Sequence, residues 1–161
     1  MFGNFTLPEH LKIVDGSTGP VTTNGGVTCD YISVKDALKV WIVAKFHQAA
    51  SHATTVQPQM ATAVAPTGAT SITYSAKWWK NADVSSSDTL TAQTAATSGA
   101  CTAGTTDQII VFEIDPMQIG STYDVIGCTI SNSSQASNFV DVTYYIQTAD
   151  PQATPPTAIT D

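Results

Sequence analysis

The residues best able to do chemistry in this sequence are three histidines, three cysteines and one close pair of carboxylates. His47 and His52 bracket the stretch HQAASH, where a metal would need a third ligand such as His10 or an acid. That spacing completes no zinc pattern, so both read as solvated loop residues. Glu113 and Asp115 stand two apart on one strand face, a placement a glycosidase could use, but strand-end acids are commonly plain solvated groups. There is no G-x-S-x-G, and the glycine-bearing loops such as GTTDQ lack a lysine for phosphate. The expectation is no catalytic residue, no cofactor, no metal and no enzyme.

The cysteines show no CxxC. Cys128 lies between Ile126 and Ile130 on an apolar face and reads as a buried thiol. Cys29, at a strand start, and Cys101, in a charge-free loop, could pair within the chain, pair between chains, or stay free. The odd count keeps the intermolecular option open. Among the three tryptophans, alternation sends Trp78 to the core and Trp79 to the opposite face. Trp41 and Trp79 are therefore the candidate interface anchors, with a sugar-stacking platform as the other use of exposed aromatic rings.

These residues are set on strands. In LKVWIVAKFH, Leu38, Val40, Ile42, Ala44 and Phe46 make one apolar face, and Lys39, Trp41, Val43, Lys45 and His47 the other. SITYSAKWW, YDVIGCTI and FVDVTYYI alternate in the same way, and IIVFEI is apolar on both faces until Glu113. CDYISV, TTVQPQMA and TLTAQTAA are weaker strands, and Pro58 confines the second to an edge or a bulge. About eight strands between Gly/Ser/Asn/Pro loops predict an all-β protein, an antiparallel β-sandwich of jelly-roll-like arrangement. The sandwich is drawn over residues 28–147. Residues 1–27 and 148–161 read as extended arms, rich in turn residues and proline, whose order a partner supplies. The uncharged stretch Thr89–Thr106 poses the same problem, and its order is expected from pairing together with contact from neighbouring subunits.

Charge narrows the partners. Charged residues make up 12% of the chain, about half the usual share, so threonine, serine and alanine cover surface that glutamate and lysine normally hold. All six basic residues are lysines, the last at position 80, against four acids in the same stretch; beyond it lie nine acids and no base. With no arginine and a net charge of −7, the chain is a poor nucleic-acid binder. The first residues lack the basic and apolar regions of a signal peptide, and the run VWIVA is far too short to span a membrane.

The segments DYISVKDALKVWIVAKF, ATTVQPQMATAV, KWWKNADVSSSDTLTAQT, IIVFEIDP and SNSSQASNFVDVTYYI, in that order over about residues 27–147, resemble tailed-bacteriophage head decoration or cement proteins. The resemblance implies a β-sandwich or jelly-roll-like body without enzymatic activity. It also implies a place on the capsid exterior of a virion made in a bacterial cytoplasm. The implied partners are the major capsid protein and copies of the chain itself, with no nucleic acid and no membrane. The cysteines are not part of that pattern. Two other functions fit the residues: a tail or neck component of the virion, and a carbohydrate-binding β-sandwich.

Overall fold

The computed structural model describes residues 6–149. Expectations for residues 1–5, and for 150–161 of the C-terminal arm, lie outside them. One helical turn, α1 (Leu7–His10), precedes β1 (Leu11–Asp15). Then follow β2 (Val21–Thr22), β3 (Val27–Thr28), β4 (Ile32–Ser33), β5 (Ala37–Gln48) and β6 (Thr55–Ala61). The middle of the chain holds β7 (Thr70–Ser71), β8 (Lys77–Asn81), β9 (Thr91–Ala92) and β10 (Gly99–Ala100). Last come β11 (Gln108–Ile114), a 3-10 turn at Pro116–Gln118, β12 (Val125–Ile130) and β13 (Asn138–Thr148).

These strands form two antiparallel sheets packed as a sandwich, the all-β class that the alternation predicts. The larger runs β1-β13-β5-β11-β8-β9, with β2 beside β1 on β13; the smaller runs β10-β6-β12-β3, with β4 on β12 and β7 on β6. The division is uneven, because β1, β5, β8, β11 and β13 belong to the larger sheet and only β6 and β12, among the longer strands, to the smaller. Apolar residues of both inner faces meet between the sheets. Ile42, Phe112 and Tyr144 lie side by side on three neighbouring strands, and Val56, Met60, Ile126 and Cys128 face them from the smaller sheet. Trp78 stacks on Phe112 with ring centroids 5.5 Å apart.

The structure bears on three expectations drawn from the sequence. First, residues 11–28 do not stay apart from the body: β1 and β2 pair with β13, and β3 pairs with β12. Their alternation is short and broken by Gly16 and Gly19, which hides it from periodicity. Second, Pro58 sits neither at an edge nor in a bulge. Its carbonyl accepts from Ile72 N–H on the side away from β12, so its missing N–H falls in the gap between β7 and β10.

Third, the pairing expected for the uncharged stretch is present within its own chain. Trp78 Nε1–H donates to the Thr94 carbonyl at 2.9 Å, Ala76 and Ala96 exchange two backbone hydrogen bonds, and Gly99 and Ala100 pair with Val56 and Thr55. Residues 91–101 thus cross from the large sheet to the small one and close that side of the sandwich. Small side chains are what permit it: a Cβ on Gly99 would lie 2.7 Å from the Trp78 ring. Amides close one end of the sandwich, where buried Gln108 donates to Gln48 at 2.6 Å and to the Thr102 carbonyl at 2.7 Å.

Gly127 gives the sharpest test of this packing, because a Cβ there would meet the Tyr31 ring at 2.7 Å on the outer side of the smaller sheet. Gly127→Ala is expected to destabilise the fold by about 1–3 kcal/mol, read as a lower urea midpoint with unchanged slope.

Candidate functional site

The two outer faces of the sandwich differ in chemistry. On the smaller sheet the strand residues turned outward include Thr55, Gln57, Gln59 and Thr129, with Tyr31 lying over Gly127. On the larger sheet, register lays Ile13, Tyr145, Trp41, Glu113 and Lys77 in one row across five strands. The next row is Asp15, Thr143, Val43, Val111, Trp79 and Ala92. Trp41 and Trp79 therefore share a face, two strands and two residues apart, roughly 12 Å between Cα atoms at ordinary sheet spacings. Both are half-buried by their row neighbours, while Ile13 at the edge is 49% exposed.

This face is nearly neutral on an acidic protein. Lys39, Lys45 and Lys77 alternate onto it with Asp15, Glu113 and Asp141. Lys39 Nζ lies 2.6 Å from Glu113 Oε1, and that bond holds the ammonium above its ordinary range. Beside them a cavity of about 280 Å³ is lined by Lys39, Tyr74, Lys77, Glu113 and Asp115. The two carboxylates that the sequence sets close together are both engaged: Glu113 by Lys39, and Asp115 by Met117 N–H at 3.0 Å and the Gln118 amide at 3.2 Å. Burial pushes the Tyr74 hydroxyl up to about 12, and that hydroxyl accepts from Asp115 N–H.

At the far end of the same face an apolar trough of about 250 Å³ runs over Pro20, Val84, Ile109 and Phe139. His47 Nδ1 lies 2.7 Å from Asp107 Oδ1 at its rim, both well exposed. His52 shares no site with His47; its carbonyl instead accepts from the Gln48 amide. Among the described residues no group of three or more histidine, cysteine or acidic side chains is placed to hold a metal.

The cysteines are all free and all buried. Cys29 and Cys101 follow β3 and β10, the two ends of the smaller sheet, with β6 and β12 between them. Three strand spacings are about 14 Å, beyond the Cα separation of about 4.4–6.8 Å a disulfide spans, so these two do not pair with each other. With only 3% and 2% of their surface exposed, both are also off the surface where a bond between chains would form. Sequence reasoning placed Cys29 at a strand start and Cys101 in a loop, and did not show that both are pinned: Cys29 N–H donates to the Cys128 carbonyl, and Cys101 N–H to that of Thr54. The cluster it did not foresee is Cys29, Cys128 and Tyr144. Cys128 Sγ lies 3.5 Å from Tyr144 Oη, which donates to the Asp30 carbonyl at 2.9 Å. A hydrogen bond to Cys128, and then burial, raise the Cys29 thiol far above its usual range. Burial raises Tyr144 likewise, followed by the two thiols.

No family model matches this chain, nor does a curated protein or a solved structure.

Two measurements check the site. Alkylation of native protein should be slow at all three cysteines and fast only after unfolding; rapid labelling of Cys29 or Cys101 alone would refute their burial. The second is pH. Cys29, Cys101, Tyr74, Tyr144 and Lys39 all hold their protons more tightly in the fold than in the unfolded chain. The stability they contribute is complete below the unfolded values, the lowest being 9.0 for the thiols, and is lost as pH climbs past them. The melting temperature is expected to fall continuously from about pH 9 towards pH 12.

Proposed function

We propose that this protein is a structural virion component, without catalysis, that binds the outer surface of a bacteriophage capsid and stabilises it. Its partners would be the major capsid protein and further copies of itself. The observation that carries the reading is the outer face of the larger sheet, where Trp41, Tyr145, Val43, Val111 and Trp79 share one nearly neutral surface. Aromatic anchors of this kind, ringed by lysines and carboxylates, suit docking on another protein. On a chain of net charge −7, a balanced face is also the one an acidic shell repels least. Binding only the assembled state raises the free energy of disassembly, and many copies on one shell let each contact be weak. The sequence resemblance to decoration proteins gives the capsid its place in this reading. A tail or neck position would use the same face.

Trp41 beside Tyr145, with Trp79 nearby on the same face, also favours a second reading, a carbohydrate-binding module. The two separate by experiment. Particles lacking the protein should rupture at a lower temperature than particles to which it is added back. The double substitution Trp41→Ala with Trp79→Ala should weaken attachment at least about tenfold while the isolated protein stays folded. No change in rupture temperature would sink the capsid reading. Retention on a polysaccharide column, lost in the same double variant, would establish the second.

A further inference from the structure

Among the described residues, the strands that end a sheet or stop short on it are of two kinds. β2, β3, β4, β7, β9 and β10 are each two residues long, too short to template another strand. β1 is five residues long, Leu11–Asp15, and among the described residues pairs with β13 on one side only. We propose that β1 is a self-association edge: two copies of this protein pair antiparallel through it, about a two-fold axis at Ile13, so that their larger sheets become one. This goes beyond the capsid reading and does not rest on it, since the pairing needs no particle.

Backbone direction fixes the register. Gly16 N–H donates to the Val142 carbonyl, opposite it in the ladder. Alternation then turns the N–H and C=O of Lys12 and Val14 towards β13, and those of Leu11, Ile13 and Asp15 towards the open side. Leu11 N–H is already donated to the Leu7 carbonyl at the end of α1. What remains is self-complementary. With Ile13 opposite Ile13 of the second copy, each Ile13 N–H meets the other's carbonyl, and each Asp15 N–H meets the other copy's Leu11 carbonyl. A two-fold axis is the symmetry such an antiparallel pairing generates.

Side chains agree with that register on the outer face. Ile13 is 49% exposed, and it ends the row that continues through Tyr145 and Trp41. Pairing would place the two Ile13 side chains together and join two such rows end to end, burying the apolar edge of each. Lys12 alternates to the inner side, where it would lie opposite Val14 of the second copy. The opposing outcome is built on the same residue, because an inward lysine is a device that keeps an edge strand single.

The full chain decides between them. Sedimentation velocity should show a dimer whose population rises with concentration up to about 100 µM. Ile13→Cys should form a disulfide-linked dimer under mild oxidation, because Cα atoms of a hydrogen-bonded antiparallel pair stand about 5.5 Å apart, within disulfide reach. The three native thiols are buried and leave that reading clean. Ile13→Asp, which sets two carboxylates face to face, should weaken the dimer at least about tenfold while the circular-dichroism spectrum stays β. Three results would overturn the proposal. One is a wild-type monomer throughout this range that dimerises only as Lys12→Val. Another is cross-linking of Ile13→Cys no faster than of Thr91→Cys at the opposite edge. The third is a dimer that cross-links through Trp41→Cys and not through position 13.

Discussion

The ladder joining β13, β5 and β11 sets everything else in place. β5 pairs with β13 from Gln48 to Ala37 and with β11 from Phe46 to Val40, so three long strands share one register. In that register Tyr144, Ile42 and Phe112 point inward together, and Tyr145, Trp41 and Glu113 outward together. A slip of one residue on any of the three would exchange the faces of that strand; on β5 it would move Trp41 into the core and Ile42 into water. Burial of Val40, Ile42, Ala44, Ile110, Phe112, Val142 and Tyr144, all effectively without solvent contact, is what forbids that slip. The character of the outer face is therefore a by-product of how strongly the inner face is fixed.

Much of this was legible in the residues. Strict alternation in LKVWIVAKFH and FVDVTYYI gives the inner and outer sides of β5 and β13 directly, because a half-buried strand needs period two; Leu38, 50% exposed where the register with β13 shifts, is the exception. The sides of Trp78 and Trp79 follow from the same rule. Of the two-residue strands, β4 and β9 fall inside the weaker strands CDYISV and TLTAQTAA, but β2, β3 and β10 were not legible, since no period can be read in VT or GA. Of the strap over residues 91–101, TLTAQTAA marks the start as a strand, but its crossing to Val56 and Thr55 rests on backbone bonds and on Trp78 Nε1–H, which leave no mark on its own side-chain pattern. The stretch SITYSAKWW alternates throughout, yet its start pairs in the smaller sheet and its end in the larger. Alternation reports burial, and Ile72, Ala76 and Trp78 are buried; it does not report which sheet supplies the partner.

The site shows the same division. Trp41 and Trp79 could be assigned to non-core faces one strand at a time, but their sharing of one face depends on β11 standing between β5 and β8. Cys128 is buried as its place between Ile126 and Ile130 predicts, whereas the surroundings of Cys29 escape for the opposite reason. Turn-rich sequence before Cys29 conceals that it continues an antiparallel pairing opposite Cys128, a contact between positions about a hundred apart in the chain.

That β13 lies between β1 and β5 has a consequence for how the molecule is made. The strand at the heart of the larger sheet leaves the ribosome after every other strand described, and its partners precede it by roughly a hundred residues or more. Until it emerges, β5 has one neighbour instead of two, β1 has none, and the apolar rows that β13 covers remain open to water. Bringing ends so distant together costs loop entropy before any pairing offsets it. The larger sheet can thus be completed only once Asn138–Thr148 is free to pair, and a chain truncated before residue 138 would carry its half-built core exposed, a ready substrate for chaperones and proteases.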